Sequence, residues 1–206
     1  MSDEGPLRVA LTFDAEHPDR PWCPSGNVER ILDTLADRDI RATFFVQGRW
    51  AQSQPAAARR IADDGHVIGH HSHYHARMPL LSDAGLESDV SAGFDAVLEA
   101  TGRDPRPWFR CPFGAGSDDA RVLGTLDRLG YRNVHWHVAL EDWEAWRTGD
   151  AIAADAVAGV RTHGDGAVVL LHTWPGGTGE GLGAAIEGLR GLGASFVTVD
   201  ELEELP

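Results

Sequence analysis

An α/β fold built on a parallel sheet is what this sequence predicts, on three observations. Short apolar runs alternate with helical patterns from end to end. Most of the runs are rich in β-branched or aromatic residues and bounded by Gly, Pro or Asp. The 206 residues suit one domain with a sizeable core. Strand candidates are residues 7–13, 41–46, 67–70, 108–110, 133–138, 167–172 and 195–199. Between them lie helical patterns. Residues 25–38 open with Ser and Gly and carry Val28, Ile31, Leu32 and Leu35 on one face. Residues 82–100 begin with a Ser suited to capping, followed by acidic first-turn residues. Residues 118–129, 150–160 and 181–192 follow the same logic, and Pro55 suits the first turn of another helix. The stretch 176–183 reads as a flexible Gly-rich loop. Seven βα units in this length lie near the lower limit for a (β/α) barrel, and a doubly wound open sheet is the rival.

Composition excludes several function classes. All 18 basic residues are Arg, so neither a Schiff-base lysine nor a P-loop lysine is present. With 32 acidic residues the net charge is -14, which argues against nucleic acid and anionic membranes as partners. Cys23 and Cys111 make no disulfide scaffold and read as reduced thiols. The first residues lack the basic and apolar regions of a leader, and no run of about 18 apolar residues occurs, so the expected location is the cytoplasm. A chain from which a leader had been removed would look the same.

Functional groups of parallel α/β proteins gather at the C-terminal ends of strands. Here Asp14 and Glu16 follow the first strand, His71 and His75 the third, Arg110 the fourth, Asp142 the fifth and His172 the sixth. His71 and His75 stand four apart, a spacing that on a helical turn puts both imidazoles on one face, suited to a metal. An isolated pair of this kind is more often a His-rich surface loop. The carboxylates after the first strand favour a site of two His and one carboxylate with open positions.

These residues carry a resemblance. Leu11-Thr12-Phe13-Asp14, Arg41-Ala42-Thr43-Phe44-Phe45-Val46-Gln47-Gly48, His71-Ser72-His73-Tyr74-His75, Arg110-Cys111-Pro112-Phe113-Gly114, Asp142-Trp143 and Leu171-His172 resemble, in order, the motifs of NodB-type polysaccharide deacetylases, carbohydrate esterase family 4. The resemblance implies a single NodB-like domain over residues 1–206, folded as a distorted, incomplete (β/α)7-type barrel. It implies Asp14 as general base, His172 as general acid, and His71 and His75 as metal ligands. Arg110 would hold Asp14, and Asp142 would orient His172. Trp143 and Leu171 would wall the acetyl pocket, with Phe113 also at the pocket.

The activity so implied is metal-dependent removal of an acetyl or other N-acyl group from an amino-sugar-containing substrate, with a bell-shaped pH profile. The alternatives are hydrolysis of another non-peptide C–N bond in a small metabolite, or an inactive carbohydrate-binding relative. Zinc is the first expectation, and cobalt, nickel, manganese or iron would also suit the ligand set.

The chain departs from the pattern at two places. Where the family has a second Asp, the metal ligand, stands Ala15, and Glu16 is the obvious replacement because Asp14 and Glu16 share one side of an extended strand. The alternatives are that Asp14 itself takes the metal, or that the site is lost. Residues 17–24 form a Pro-rich stretch that reads as a rigid cap and would otherwise supply Trp22 and Arg20 as substrate contacts. Cys111 reads as a small core residue and His73 as a residue able to touch the site. His66, His70, His135, His137 and His163 read as packing or surface.

Overall fold

The computed structural model describes residues 7–18 and 23–206, so Arg20 and Trp22 lie outside the described residues. In chain order the elements begin with β1 (Leu7–Ala15), α1 (Asn27–Ala36), β2 (Thr43–Val46), α2 (Gly48–Ser53), α3 (Pro55–Asp63) and β3 (Val67–His70). They continue with α4 (Asp83–Thr101), β4 (Trp108–Phe109), α5 (Ala120–Arg128), β5 (Arg132–Asn133) and β6 (Val138–Ala139). The last are α6 (Gly149–His163), β7 (Ala167–His172), α7 (Gly176–Gly191) and β8 (Ala194–Val197). Two compact units emerge. The first takes in the described residues of Met1–Phe13, Pro18–Thr43 and Trp136–Pro206, and the second Asp14–His17 and Phe44–His135.

In the first unit the strand order is β8-β1-β7-β6, with parallel registers Leu7 to Ala194 and Val138 to Val169. All six residues of β7 are buried, the continuous apolar run of a strand covered on both faces. The Gly-rich stretch after it is not a loop but the opening of α7. Its glycines are there for closeness: a Cβ at Gly149 would lie 2.7 Å from the Gly181 backbone nitrogen, so α6 and α7 touch backbone to backbone. Thr148 caps α6 by accepting the Ala151 N–H.

In the second unit the order is β5-β4-β3-β2, again parallel. Ser82 caps α4 through the Gly85 N–H, as its sequence suggests, and Asp119 caps α5. A core of Met78, Leu86, Val90, Phe109, Cys111, Val122, Leu126 and Tyr131 packs beside them. Both thiols are free, and burial pushes that of Cys111 up to about 12, so it behaves as a small apolar residue.

The strand expected over residues 133–138 is two separate pieces, β5 and β6. The carbonyls of Val134 and His135, which a continuous strand would commit to a ladder, instead accept hydrogen bonds from the buried Arg110 guanidinium.

His70 on β3 is fully buried against Phe109 and Tyr131, with ring centroids 4.9 and 5.3 Å apart. Burial above all, helped by His71 and His73, pushes its pKa down to about 3, so the ring is neutral. It leaves no room on α4: a Cβ at Gly93 would overlap His70 Nε2 and lie 3.0 Å from the Ser72 carbonyl carbon. Gly93→Ala is therefore expected to destabilise by about 1–3 kcal/mol through overpacking, although Ala is the better helix former. Urea unfolding of the two proteins checks this, and an unchanged or higher midpoint would refute it.

Candidate active site

The carboxylates that close β1 belong to the second unit. Asp14 and Glu16 are 3% and 2% exposed, and neither would be buried without partners. The Ala15 carbonyl accepts the Gln47 N–H (2.9 Å), and Gln47 Oε1 accepts the His17 N–H (2.9 Å), which fixes the chain on both sides of Glu16.

His71 and His75 converge on Glu16, though not from a helical turn. They sit on an irregular loop in which Ser72 and His75 both have φ of 59°, in the left-handed region. The loop is held by polar bonds: Ser72 Oγ accepts the His75 N–H, and the buried Asp89 carboxylate accepts the N–H groups of His73 and Tyr74 at 3.1 and 3.0 Å. Asp89 is a supporting residue that sequence spacing does not reveal.

His71 Nδ1 donates to the Arg110 carbonyl (2.8 Å), which leaves Nε2 of the neutral ring as a lone pair. That lone pair faces Glu16 Oε2 at 3.2 Å, and His75 Nε2 lies 2.6 Å from the same oxygen. One ligand atom from each of Glu16, His71 and His75 lies within 4.8 Å of the others. Because His71 Nδ1 is committed as a donor, its Nε2 can approach the Glu16 carboxylate only with a cation between them, a proton on the ring or a metal, whereas a neutral His75 can donate from its own Nε2. Burial by itself would pull the His71 pKa down, but Asp14 and Glu16 outweigh it and hold the ring above the ordinary imidazole value. The donor set and its burial thus fit a divalent metal.

Asp14 faces the same imidazole with Oδ2 3.5 Å from His71 Nε2, while its Oδ1 accepts from Arg110 Nη1 at 2.9 Å. Arg110 is completely buried. Its Nε and Nη2 donate to the Val134 and His135 carbonyls at 3.1 Å each, and its guanidinium lies 4.1 Å over the Phe45 ring. Burial lowers its pKa and Asp14 opposes the fall; a guanidinium stays charged nonetheless.

Phe113, at φ 58°, stands 47% exposed with its ring 4.4 Å from that of His75 and the Arg77 guanidinium 4.5 Å from its centroid. His73 is buried one residue from the loop's exposed Tyr74, its ring edge-on to the tyrosine.

The remaining candidates sit in the first unit. Asp142 Oδ1 lies 2.8 Å from His172 Nδ1, and Oδ2 accepts the His172 N–H at 2.7 Å and the Thr178 hydroxyl at 2.6 Å. The Trp143 ring stands edge-on to His172 with centroids 5.4 Å apart, and Trp174 lies 6.1 Å away. A cavity of about 440 Å³ opens here, lined among others by Asp142, Trp143, Arg147, Trp174 and Glu180. Leu171 is buried on β7 and is not part of that lining. Trp174 and Thr178 were not anticipated; a tryptophan two residues beyond His172 was the available signal, whereas Thr178 was hidden among glycines.

Residues 2–134 match the family model described as polysaccharide deacetylase. The chain belongs to the polysaccharide deacetylase family. Peptidoglycan-N-acetylmuramic acid deacetylase PdaA of Bacillus subtilis is 31% identical over 195 residues, 94% of this chain and 70% of that protein. A chitooligosaccharide deacetylase of Sinorhizobium fredii is 34% identical over 172 residues, 83% of this chain and 74% of that one.

Among solved structures, a family 4 carbohydrate esterase from Streptomyces lividans in complex with acetate aligns with a TM-score of 0.79 at 30% identity, over 92% of this chain and 91% of that one. A mutant of a Bacillus anthracis CE4 family pseudoenzyme, with restored enzymatic activity, aligns at 0.84 and 27%, over 98% and 69%. These likenesses give the chain the distorted, incomplete (β/α) barrel class that its strand count suggests.

Proposed function

We propose that this member of the polysaccharide deacetylase family is a metal-dependent hydrolase that removes an acetyl group from an N-acetylated amino sugar. The observation that carries the reading is the convergence of Glu16, His71 and His75, with Asp14 held beside them by Arg110. The relatives that act on peptidoglycan and chitooligosaccharides, and the acetate held by the Streptomyces esterase, support the substrate class.

Glu16, His71 and His75 are the residues that would hold the metal. When bound, a divalent cation supplies Lewis acidity toward the acyl carbonyl and acidifies water. Asp14 takes the proton of the attacking water, and Arg110, which donates to its Oδ1, keeps that carboxylate from turning away. His172 delivers a proton to the departing amine, otherwise a poor leaving group, and Asp142 fixes the tautomer that presents Nε2 for this. The rings of Trp143 and Trp174 flank the imidazole.

The experiment is acetate release from N-acetylated chitooligosaccharides and peptidoglycan fragments, with zinc, cobalt or manganese added. Asp14→Asn, which keeps the shape and loses the base, is expected to lower kcat by about 10²–10⁴-fold. Activity of the unaltered chain that Asp14→Asn leaves intact would remove the base assignment. Sugar binding with no acetate release under any metal would favour an inactive relative, the state of the Bacillus anthracis pseudoenzyme.

A further inference from the structure

The Gly-rich opening of α7, which the deacetylase reading leaves without a role, is built to bring one hydroxyl onto the acid pair. Asn27, 2% exposed, donates from Nδ2 to the carbonyls of Thr173 and Pro175 at 2.8 and 2.9 Å and so clamps the turn that follows His172. A Cβ on Gly179 would collide with the Asn27 amide oxygen, and one on Gly177 would lie 2.8 Å from the Arg147 carbonyl. Only glycine at these places lets the first turn of α7 settle so close. The residue between them, Thr178, is fully buried, and its hydroxyl donates to Asp142 Oδ2 at 2.6 Å.

We infer that Thr178 is a positioning residue for the Asp142–His172 pair, dividing the carboxylate between two tasks. Oδ2, held by Thr178 and by the His172 backbone N–H, anchors the group, and Oδ1 is left to the imidazole Nδ1. A carboxylate with one bond fewer on Oδ2 directs more of its charge at the imidazole and is freer to rotate. The charged groups around the adjoining cavity are Glu144 and Arg147 on the loop after β6 and Glu180 on α7; none of them is bonded to Asp142.

This inference rests on the deacetylase reading for its kinetic test, so a second readout is independent of activity. Thr178→Val keeps the shape and removes the hydroxyl; Thr178→Ser keeps the hydroxyl. In Thr178→Val, kcat for acetate release is expected to fall about tenfold, the effect one hydrogen bond to a charged group sustains, with KM within about twofold. The alkaline limb of its pH profile moves up, since an imidazolium that holds its proton more tightly gives it up less readily.

Thr178→Ser restores both rate and limb. By nitrogen NMR, the ring titration of His172 moves upward in the Val variant and returns in the Ser variant, in active or inactive protein alike. An unmoved titration in folded Thr178→Val, or a Ser variant that behaves like Val, overturns the assignment. A shifted titration in a chain that releases no acetate from any substrate upholds Thr178 and counts against the deacetylase reading instead.

Discussion

Zinc titrated calorimetrically into metal-free protein is expected to bind one to one, and His71→Ala to weaken that binding more than 100-fold. Loss of a supporting partner of a metal ligand typically costs about 10–100-fold, and a ligand itself costs more. Glu16→Ala is expected to do the same damage. Glu16 Oε2 lies 3.2 Å from His71 Nε2 and 2.6 Å from His75 Nε2, placed between both imidazoles, whereas Asp14 spends one oxygen on Arg110. If Glu16→Ala binds zinc like the unaltered chain and Asp14→Ala does not, the third ligand is Asp14, and the base must be sought elsewhere.

The affinity also carries a pH signature. His71 in the metal-free protein stands above its usual value of 6.5, so its proton competes with the metal, and binding weakens as pH falls through that raised value. Linkage gives the matching stability sign. The protonated His71 between two carboxylates stabilises the metal-free fold fully below about pH 6.5, and this contribution is lost as pH rises through the higher folded value. Zinc therefore raises the unfolding temperature more at pH 8 than at pH 6, and equal shifts at both would contradict the ligand role of His71.

Much of the carboxylate–imidazole cluster of the second unit, and of the Asp142–His172 pair of the first, was legible in the sequence because these residues lie at strand ends. Asp14 is next to last in β1 and Glu16 lies just past it, His71 follows β3, Arg110 follows β4 and His172 ends β7, and the period-2 alternation of an extended chain puts Asp14 and Glu16 on one side whatever lies between. What was not legible depends on contacts distant in sequence. The His71–His75 spacing suggested a helical turn, yet the convergence comes from two left-handed residues and from Asp89, 14 or more positions away. Residues 133–138 have the composition of a strand, and they fail to form one because a guanidinium claims two of their carbonyls. Glycines over residues 176–183 read as slackness by local propensity. Backbone contact between α6 and α7 makes them the reverse, positions where any side chain would force the helices apart.

Arg110→Met is expected to destabilise the protein by about 3–5 kcal/mol, the usual cost of removing one partner of a buried ion pair. The side chain is fully buried, and its loss leaves three acceptors without their donor: Asp14 Oδ1 and the carbonyls of Val134 and His135. The methionine restores most of the volume under Phe45, so cavity formation adds little and the penalty is polar in origin. Total stabilities of about 5–15 kcal/mol mean that such a loss brings the chain near its unfolding threshold.

Arg110→Lys separates charge from shape. It keeps a cation for Asp14 but cannot reach two carbonyls and a carboxylate at once, so it should fold better than Met and still lose activity. Denaturant unfolding of Arg110→Met, Asp14→Asn and the double variant completes the test. If Arg110 acts through Asp14, removing the carboxylate first makes the second loss smaller by more than about 1 kcal/mol, a coupling well above the error of additive sites. Additive losses would assign Arg110 to the two carbonyls alone, as a brace for the 134–135 backbone with no hold on the base.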